Sequence, residues 1–474
     1  MSYYFISIGG SGAKVMESIT HLCVAGILPD KDKLKIFAID PDMGNGNLER
    51  TSAALNNFNV FQQLEVGIDS ILFKNKMSII EPFPWNPAEH SKTLDELIAY
   101  PTYSGKPIGD LFKMLYTRKE RGLKLNEGFR GHPSIGAAVL AQKYTQLNNN
   151  DKNWNNLTKQ IMQDIGSGEK VKIFIAGSVF GGTGAAGLPT VARLLRDEFE
   201  DYDNVVAIGG VLILPYFKFT PVNTGNQLFA HSENFLTNTK AALKYYAQKD
   251  NIFNVMYFVG DSVMTKVDNF SVGASNQRND AHIVDFYAAL AAVDFYQKNI
   301  NNNHYFKYIC HSENDKFDWN DFPQIYNSGA NFRNLFVKFV RFIFAYIHLI
   351  KPVRKDLTAG KLPAYQYPWF IDYLQGVDLN EMVIKNFDDY AESFVNWLKQ
   401  IESLEMRNIS LIDSQMFEAN PARLNDTDKF KSCDGIDTNL SLHEIWYRMS
   451  EKKDIDSNAS GYGKFLRCLY ESCE

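Results

Sequence analysis

The chain has 474 residues, 49 Lys and Arg against 55 Asp and Glu, a formal net charge of -6, and 45% hydrophobic and 14% aromatic residues. That length exceeds one ordinary core and predicts two domains, and the acidic balance argues against direct nucleic-acid binding. Cys23, Cys310, Cys433, Cys468 and Cys473 are scattered and odd in number, which disfavours a zinc cage and fits a reducing cytoplasm.

The amino terminus runs almost directly into a strand over residues 3–8, so no signal peptide is expected. A turn at residues 9–12, a helix over 13–24 and a strand over 34–39 follow, ending at Asp40-Pro-Asp42. This order opens a doubly wound α/β sheet. The proline-bearing stretch 45–131 reads as long connections with short helices, 134–147 as a helix, and the Asn/Asp-rich stretch 148–156 as an exposed loop. The run from Val171 to Gly177 is a strand, 181–187 a glycine-rich turn, and 188–199 a helix. Residues 204–214 are nearly all apolar, as a buried parallel strand requires. A helix over 229–248 and a strand over 254–259 come next, then an irregular excursion over 262–277. A long helix spans 279–297, with its large apolar residues on or near one side, and a strand opens at 305. Beyond that point the chain becomes more aromatic and more helical. The spacing predicts domains over 1–300 and 301–474, the second α/β with added helices. The most apolar stretch, 336–350, is broken by Lys338, Arg341 and His348 and reads as a buried helix, so no membrane span is expected.

Two glycine turns carry the chemistry. Phosphate oxygens need main-chain donors that approach closely, and a Cβ blocks that approach. Gly181, Gly182 and Gly184 with Thr183 supply one set; Gly9, Gly10 and Gly12 with Ser11 supply the other. Neither turn is a Walker A loop, because no lysine follows Gly184. Nor is the first a dinucleotide fingerprint, because Val15 stands where its last glycine belongs. Asp40, at the end of the second strand, keeps a Rossmann-type oxidoreductase open as a minor alternative. The 181–184 turn on a later strand is what that alternative leaves unexplained.

Phe180-Gly-Gly-Thr-Gly-Ala-Ala-Gly187 resembles the signature phosphate loop of the tubulin/FtsZ superfamily, and Ile8-Gly-Gly-Ser-Gly12 is similar to its first nucleotide loop. The likeness is greatest to the divergent bacterial tubulin-like proteins. It departs from the family's pattern at Ala185-Ala186 and at the third loop. The resemblance implies a GTP-binding sheet with a long central helix, Mg²⁺ as cofactor, and hydrolysis that depends on self-assembly into filaments or oligomers. It implies that Asp40 and Asp42 form the second loop, with Asp42 on the metal side. Arg130 and Gly131, in Arg130-Gly-His-Pro-Ser134, fall at the third loop, where Arg130 or His132 would meet the terminal phosphate. Phe219-Thr-Pro221 falls at the ribose-facing loop. Asn238 and Asn279 would bind the purine, with His282 or Phe286 stacked on it. Asp321, with Asn320 beside it, would orient water for the neighbouring subunit's nucleotide. The alternative function is a nucleotide-gated scaffold with little turnover. It would dock an unrelated protein through the carboxy-terminal domain, where Phe332, Phe336, Phe339, Phe342, Phe344 and Tyr346 offer either a core or a partner surface.

Overall fold

The computed structural model describes residues 1–29, 33–64, 71–88, 93–147, 151–219, 232–248, 252–267, 279–300, 305–309, 316–317, 319–322, 329–363, 367–404, 408–409, 411–412, 442–451 and 461–474. Cys310, Cys433, His304, His311, Thr220 and Pro221 lie outside them.

Strand β1 (Ser2–Ile8) is buried along residues 3–8, and β4 (Val171–Ser178) along its whole length. Both are apolar on successive residues because helices cover the two faces of the sheet. With β2 (Lys33–Ile39), β3 (Lys76–Ile79) and β5 (Val206–Ile213) they form the left and middle of a parallel sheet. The short strand β6 (Phe217–Phe219) stands apart and pairs with β8 (Thr265–Val267). Strands β7 (Val255–Val259) and β9 (Tyr305–Ile309) complete the large sheet, whose order is β3-β2-β1-β4-β5-β7-β9. Strands β10 (Lys316–Phe317) and β11 (Asn408–Ile409) form a small parallel pair. The chain winds outward from β1 in one direction and from β4 in the other. The carboxyl ends of β1 and β4 therefore flank the point where a doubly wound sheet leaves a crevice.

Helix α1 (Gly9–Val24) begins directly at the end of β1, inside the stretch expected to be a separate turn. Helix α2 (Gly46–Phe61) occupies much of what reads as a long connection. Asn45 starts it, accepting hydrogen bonds from the amides of Asn47 and Leu48 at 2.9 and 3.4 Å. The Asn/Asp-rich loop is corrected as well. The Asp151 carboxylate accepts from the amides of Asn153 and Trp154 and opens a helix over Lys152–Gly166. Trp154, Leu157, Thr158 and Ile161 give that helix a buried stripe at helical spacing, which outweighs its polar composition.

The central helix (Ile283–Gln297) is buried all round, with Asp294 and Gln297 only partly covered. A one-sided helix suits a surface; this one lies between the sheet and the carboxy-terminal half. Phe295 packs on Phe174 of β4, while Phe286 packs on Phe322, Phe336 and Trp397. In the carboxy-terminal half, a helix over Gly329–Ala345 passes through a π-helical turn at Tyr346–Ile350 into Lys351–Thr358. Helices Met382–Glu402 and Gly461–Ser472 pack with it. Phe332, Phe336, Phe339, Phe342, Phe344 and Tyr346 are all buried in the core, so this aromatic run is packing and not an exposed surface. Cys23, Cys468 and Cys473 are buried.

Candidate functional site

Strands β1 and β4 pair in register up to Ile8 against Gly177, so the two glycine turns leave the sheet side by side. At Gly9, where φ is +70°, an added Cβ would lie 3.1 Å from Thr183 Cβ and 3.5 Å from the Gly184 amide nitrogen. The two turns therefore touch. Each opens a helix with no side-chain cap: α1 after Ile8, and the helix Thr183–Glu198 after Gly182. First-turn amides have no partner within a helix, and a capping side chain usually accepts from one of them. Here two such sets stand together at the switch point, and the positive ends of both helices converge there.

Most of the expected loops gather around this point. The third loop packs on the second turn. A Cβ at Gly182 would meet Phe129 Cβ at 2.9 Å, the Gly131 nitrogen at 3.1 Å and the His132 nitrogen at 3.2 Å. Arg130 and Gly131 both have left-handed backbone, with φ of +44° and +76°, which turns the chain sharply before the helix Pro133–Leu147. Asp40 and Asp42 close the far side. The Asp42 amide donates to Asp40 Oδ1 at 3.0 Å, and Asp42 Oδ1 accepts from the Gly44 amide at 3.2 Å. Burial pushes the Asp40 carboxyl up to about 8 against the pull of the Asp42 amide, and its Oδ2 has no hydrogen-bond partner among the described residues.

Asn238 Nδ2 donates to the Phe180 carbonyl at 3.2 Å, which sets it against the second turn. The Asn279 amide donates to Asn47 Oδ1 at 2.8 Å. Asn47 and Asn45 in turn approach Gly10: a Cβ there would lie 3.7 and 3.2 Å from their amide nitrogens. The start of α2 thus joins Asn279 to the first turn. The two stacking candidates are overturned. His282 caps the central helix, taking the Val284 amide on Nδ1 and meeting Thr265 Oγ1 with Nε2 at 3.0 Å. Phe286 is fully enclosed by other aromatic rings. The Asp321 carbonyl accepts from the Tyr287 hydroxyl on the central helix, and no described contact joins Asp321 to either glycine turn. The side chain of Asn320 lies outside the described residues.

A buried charge network behind the turns escaped the sequence reading. Lys14, in the second turn of α1, pairs with Asp285 of the central helix at 2.9 Å, and both side chains are almost wholly buried. Lys14 also donates to the Tyr216 hydroxyl at 3.1 Å, which donates to Asp285 Oδ1 at 2.9 Å. One turn further along α1, Glu17 takes a two-point contact from Arg50 of α2 at 2.8 and 2.7 Å. Arg50 reaches on to the Asn279 carbonyl at 3.0 Å. The signal available in sequence was the pair of charges in Ala13-Lys-Val-Met-Glu17, the sole Lys, Arg, Asp or Glu residues over 9–24.

The donor set suits a polyanion: main-chain amides at two uncapped helix starts. Among the described residues no cluster of three or more His, Cys, Asp or Glu is placed to hold a metal ion by itself. The neighbouring Asp40 and Asp42 carboxylates are oxygen donors of the kind magnesium takes, one or two carboxylates beside the phosphates it accompanies.

Residues 109–279 match the protein family described as "Tubulin like". The match spans less than half of the chain, and the α/β architecture is that of the tubulin/FtsZ fold. No curated protein matches the sequence. Among solved structures, CetZ from Methanosaeta thermophila strain DSM 6194 is 14% identical, with a TM-score of 0.27, over 61% of this chain and 52% of that one. The GTPgS-bound protofilament of CetZ2 from Haloferax volcanii is also 14% identical, with a TM-score of 0.29, over 62% of this chain and 59% of that one. The chain thus spans a little over half the length of each, and a likeness so loose says nothing about activity. Neither structure singles out the bacterial tubulin-like proteins.

Proposed function

We propose that this chain, whose α/β architecture is of the tubulin/FtsZ type, binds GTP with Mg²⁺ at the crevice between β1 and β4 and hydrolyses it when copies assemble. The observation that carries the reading is the contact between Gly9 and Thr183, which joins two uncapped helix starts into one bed of amide donors. Gly9, Gly10, Ser11 and Gly12 form one wall of the phosphate site, and Gly181, Gly182, Thr183 and Gly184 the other. Arg130, Gly131 and His132 close over the terminal phosphate. Asp42, with Asp40 behind it, sits on the metal side. When bound, the ion would spread the charge of the phosphate oxygens. Asn238 and Asn279 mark the base end. We divide the chain near residue 300 into a nucleotide domain and a carboxy-terminal domain.

Calorimetry with GTP and Mg²⁺ tests the site. Gly182→Val puts a branched side chain against Phe129 and the Gly131 nitrogen, and it is expected to remove measurable GTP binding. Unchanged affinity in a variant that melts like the parent would refute the pocket.

A second reading is a nucleotide-gated scaffold with little turnover. It is favoured by the Lys14–Asp285 pair, which ties the helix of the first phosphate turn rigidly to the buried central helix. A Rossmann-type oxidoreductase shares the sheet order but uses only the first glycine turn, and so leaves the second unexplained.

A further inference from the structure

Between β3 and the helix Pro133–Leu147 the chain builds a small projecting unit with its own core of Leu94, Leu123, Leu125, Phe129, Ile135 and Val139. Its outermost element is the helix Pro107–Leu115. That helix turns only Gly109 fully inward and half-buries Phe112. Ile108, Leu111 and Leu115 recur at helical spacing on the face that also carries Phe112, and Met114 lies beside Leu111. Their exposures are 56%, 49% and 63%, with 84% for Met114. An apolar stripe facing outward is the reverse of what a helix on a soluble surface does.

The charge around the stripe is also reversed relative to the molecule. Residues 100–124 carry six basic side chains against two acidic ones, in a chain whose net charge is -6. Lys106, Lys113, Arg118 and Lys119 are exposed on or next to this helix in sequence, and Tyr103 is exposed shortly before it. An outward stripe of flexible aliphatic side chains, in a segment with exposed basic side chains and an exposed tyrosine, matches the chemistry of an anionic bilayer surface. The aliphatic groups enter the acyl boundary while the cationic heads stay with the lipid phosphates.

We propose that the Pro107–Leu115 helix is a docking face for an anionic lipid surface. The element carries too few apolar residues to hold the protein permanently, so binding is reversible and salt-sensitive. It does not depend on the nucleotide reading and is measured without nucleotide.

Co-sedimentation of the full chain with vesicles of phosphatidylcholine containing about a third phosphatidylserine tests it, beside vesicles of phosphatidylcholine alone. The expected result is binding to the acidic vesicles only, weakened at least tenfold in Leu111→Glu/Met114→Glu and also in Lys106→Glu/Lys119→Glu. All four positions are exposed, so unchanged far-ultraviolet circular dichroism and melting are expected of both variants. The proposal is overturned by absence of binding to acidic vesicles or by equal binding of parent and variants. It is also overturned if, without lipid, the parent is oligomeric by light scattering and Leu111→Glu/Met114→Glu is monomeric, which would give the face to a second copy.

Discussion

At Lys14 the molecule keeps an ammonium group in its interior because Asp285 and Tyr216 satisfy it there. Removing one partner leaves the other charge buried and unmatched. Lys14→Met is therefore expected to destabilise the fold by about 3–5 kcal/mol in chemical denaturation, and Lys14→Met/Asp285→Leu is expected to recover much of that loss. His21 is a second buried group with a defined consequence. It lies 3.0 Å from the Tyr390 hydroxyl and is enclosed by Phe394 and Trp397. Burial, assisted by the Arg50 charge, lowers its pKa from 6.5 to about 3. The unfolded chain therefore binds a proton more readily than the folded one between those values. Stability that is complete above pH about 6.5 is lost as the pH falls towards 3. His21→Gln is expected to flatten that slope in melting temperatures recorded from pH 7 to 4; an unchanged slope would assign the acid sensitivity to other groups. Under the proposed assembly-dependent hydrolysis, Asp321→Ala should slow phosphate release at least tenfold while calorimetric GTP affinity stays as in the parent.

At the scale of elements, the strands and the positions of both glycine segments were legible because their signal is local, although helices already begin at Gly9 and Thr183 inside the expected turns. A β-branched or aromatic run followed by glycines needs no distant partner to be read, and β1, β4, β5 and β7 fall within two residues of their expected bounds. The third loop was legible by position between sheet elements, though its packing on Gly182 was not. The unread part has a common cause. Lys14 meets Tyr216 across 202 residues of sequence, and the Asn279 amide meets Asn47 across 232. No periodicity in either segment encodes such a partner. The central helix was found, but its apolar residues looked one-sided because the expected stripe omitted Ala288, Ala289, Ala291 and Ala292, all of them buried. Small residues on every side let the sheet and the carboxy-terminal helices both approach. Asp151 and Asn45 were misread for the opposite reason. Asn and Asp favour loops on average, but the same side chains begin helices when a buried stripe follows.

For the whole molecule, assembly is the property that separates the two functional readings. Light scattering and electron microscopy of the purified chain, with and without GTP and Mg²⁺, are expected to reveal nucleotide-dependent polymers. Tight binding without polymer or turnover would instead favour the scaffold. The order of the sheet has a further result for how such a protein comes into being. The two halves of the crevice lie next to each other in space, yet one follows β1 in the chain and the other only β4, more than 160 residues later. A nascent chain that stops short of Val171 owns a single bed of donors and no opposing one. Under the proposed reading, nucleotide recognition would be gained in one step, when β4 zips onto β1, and the ligand would reward completed topology over any partly formed state.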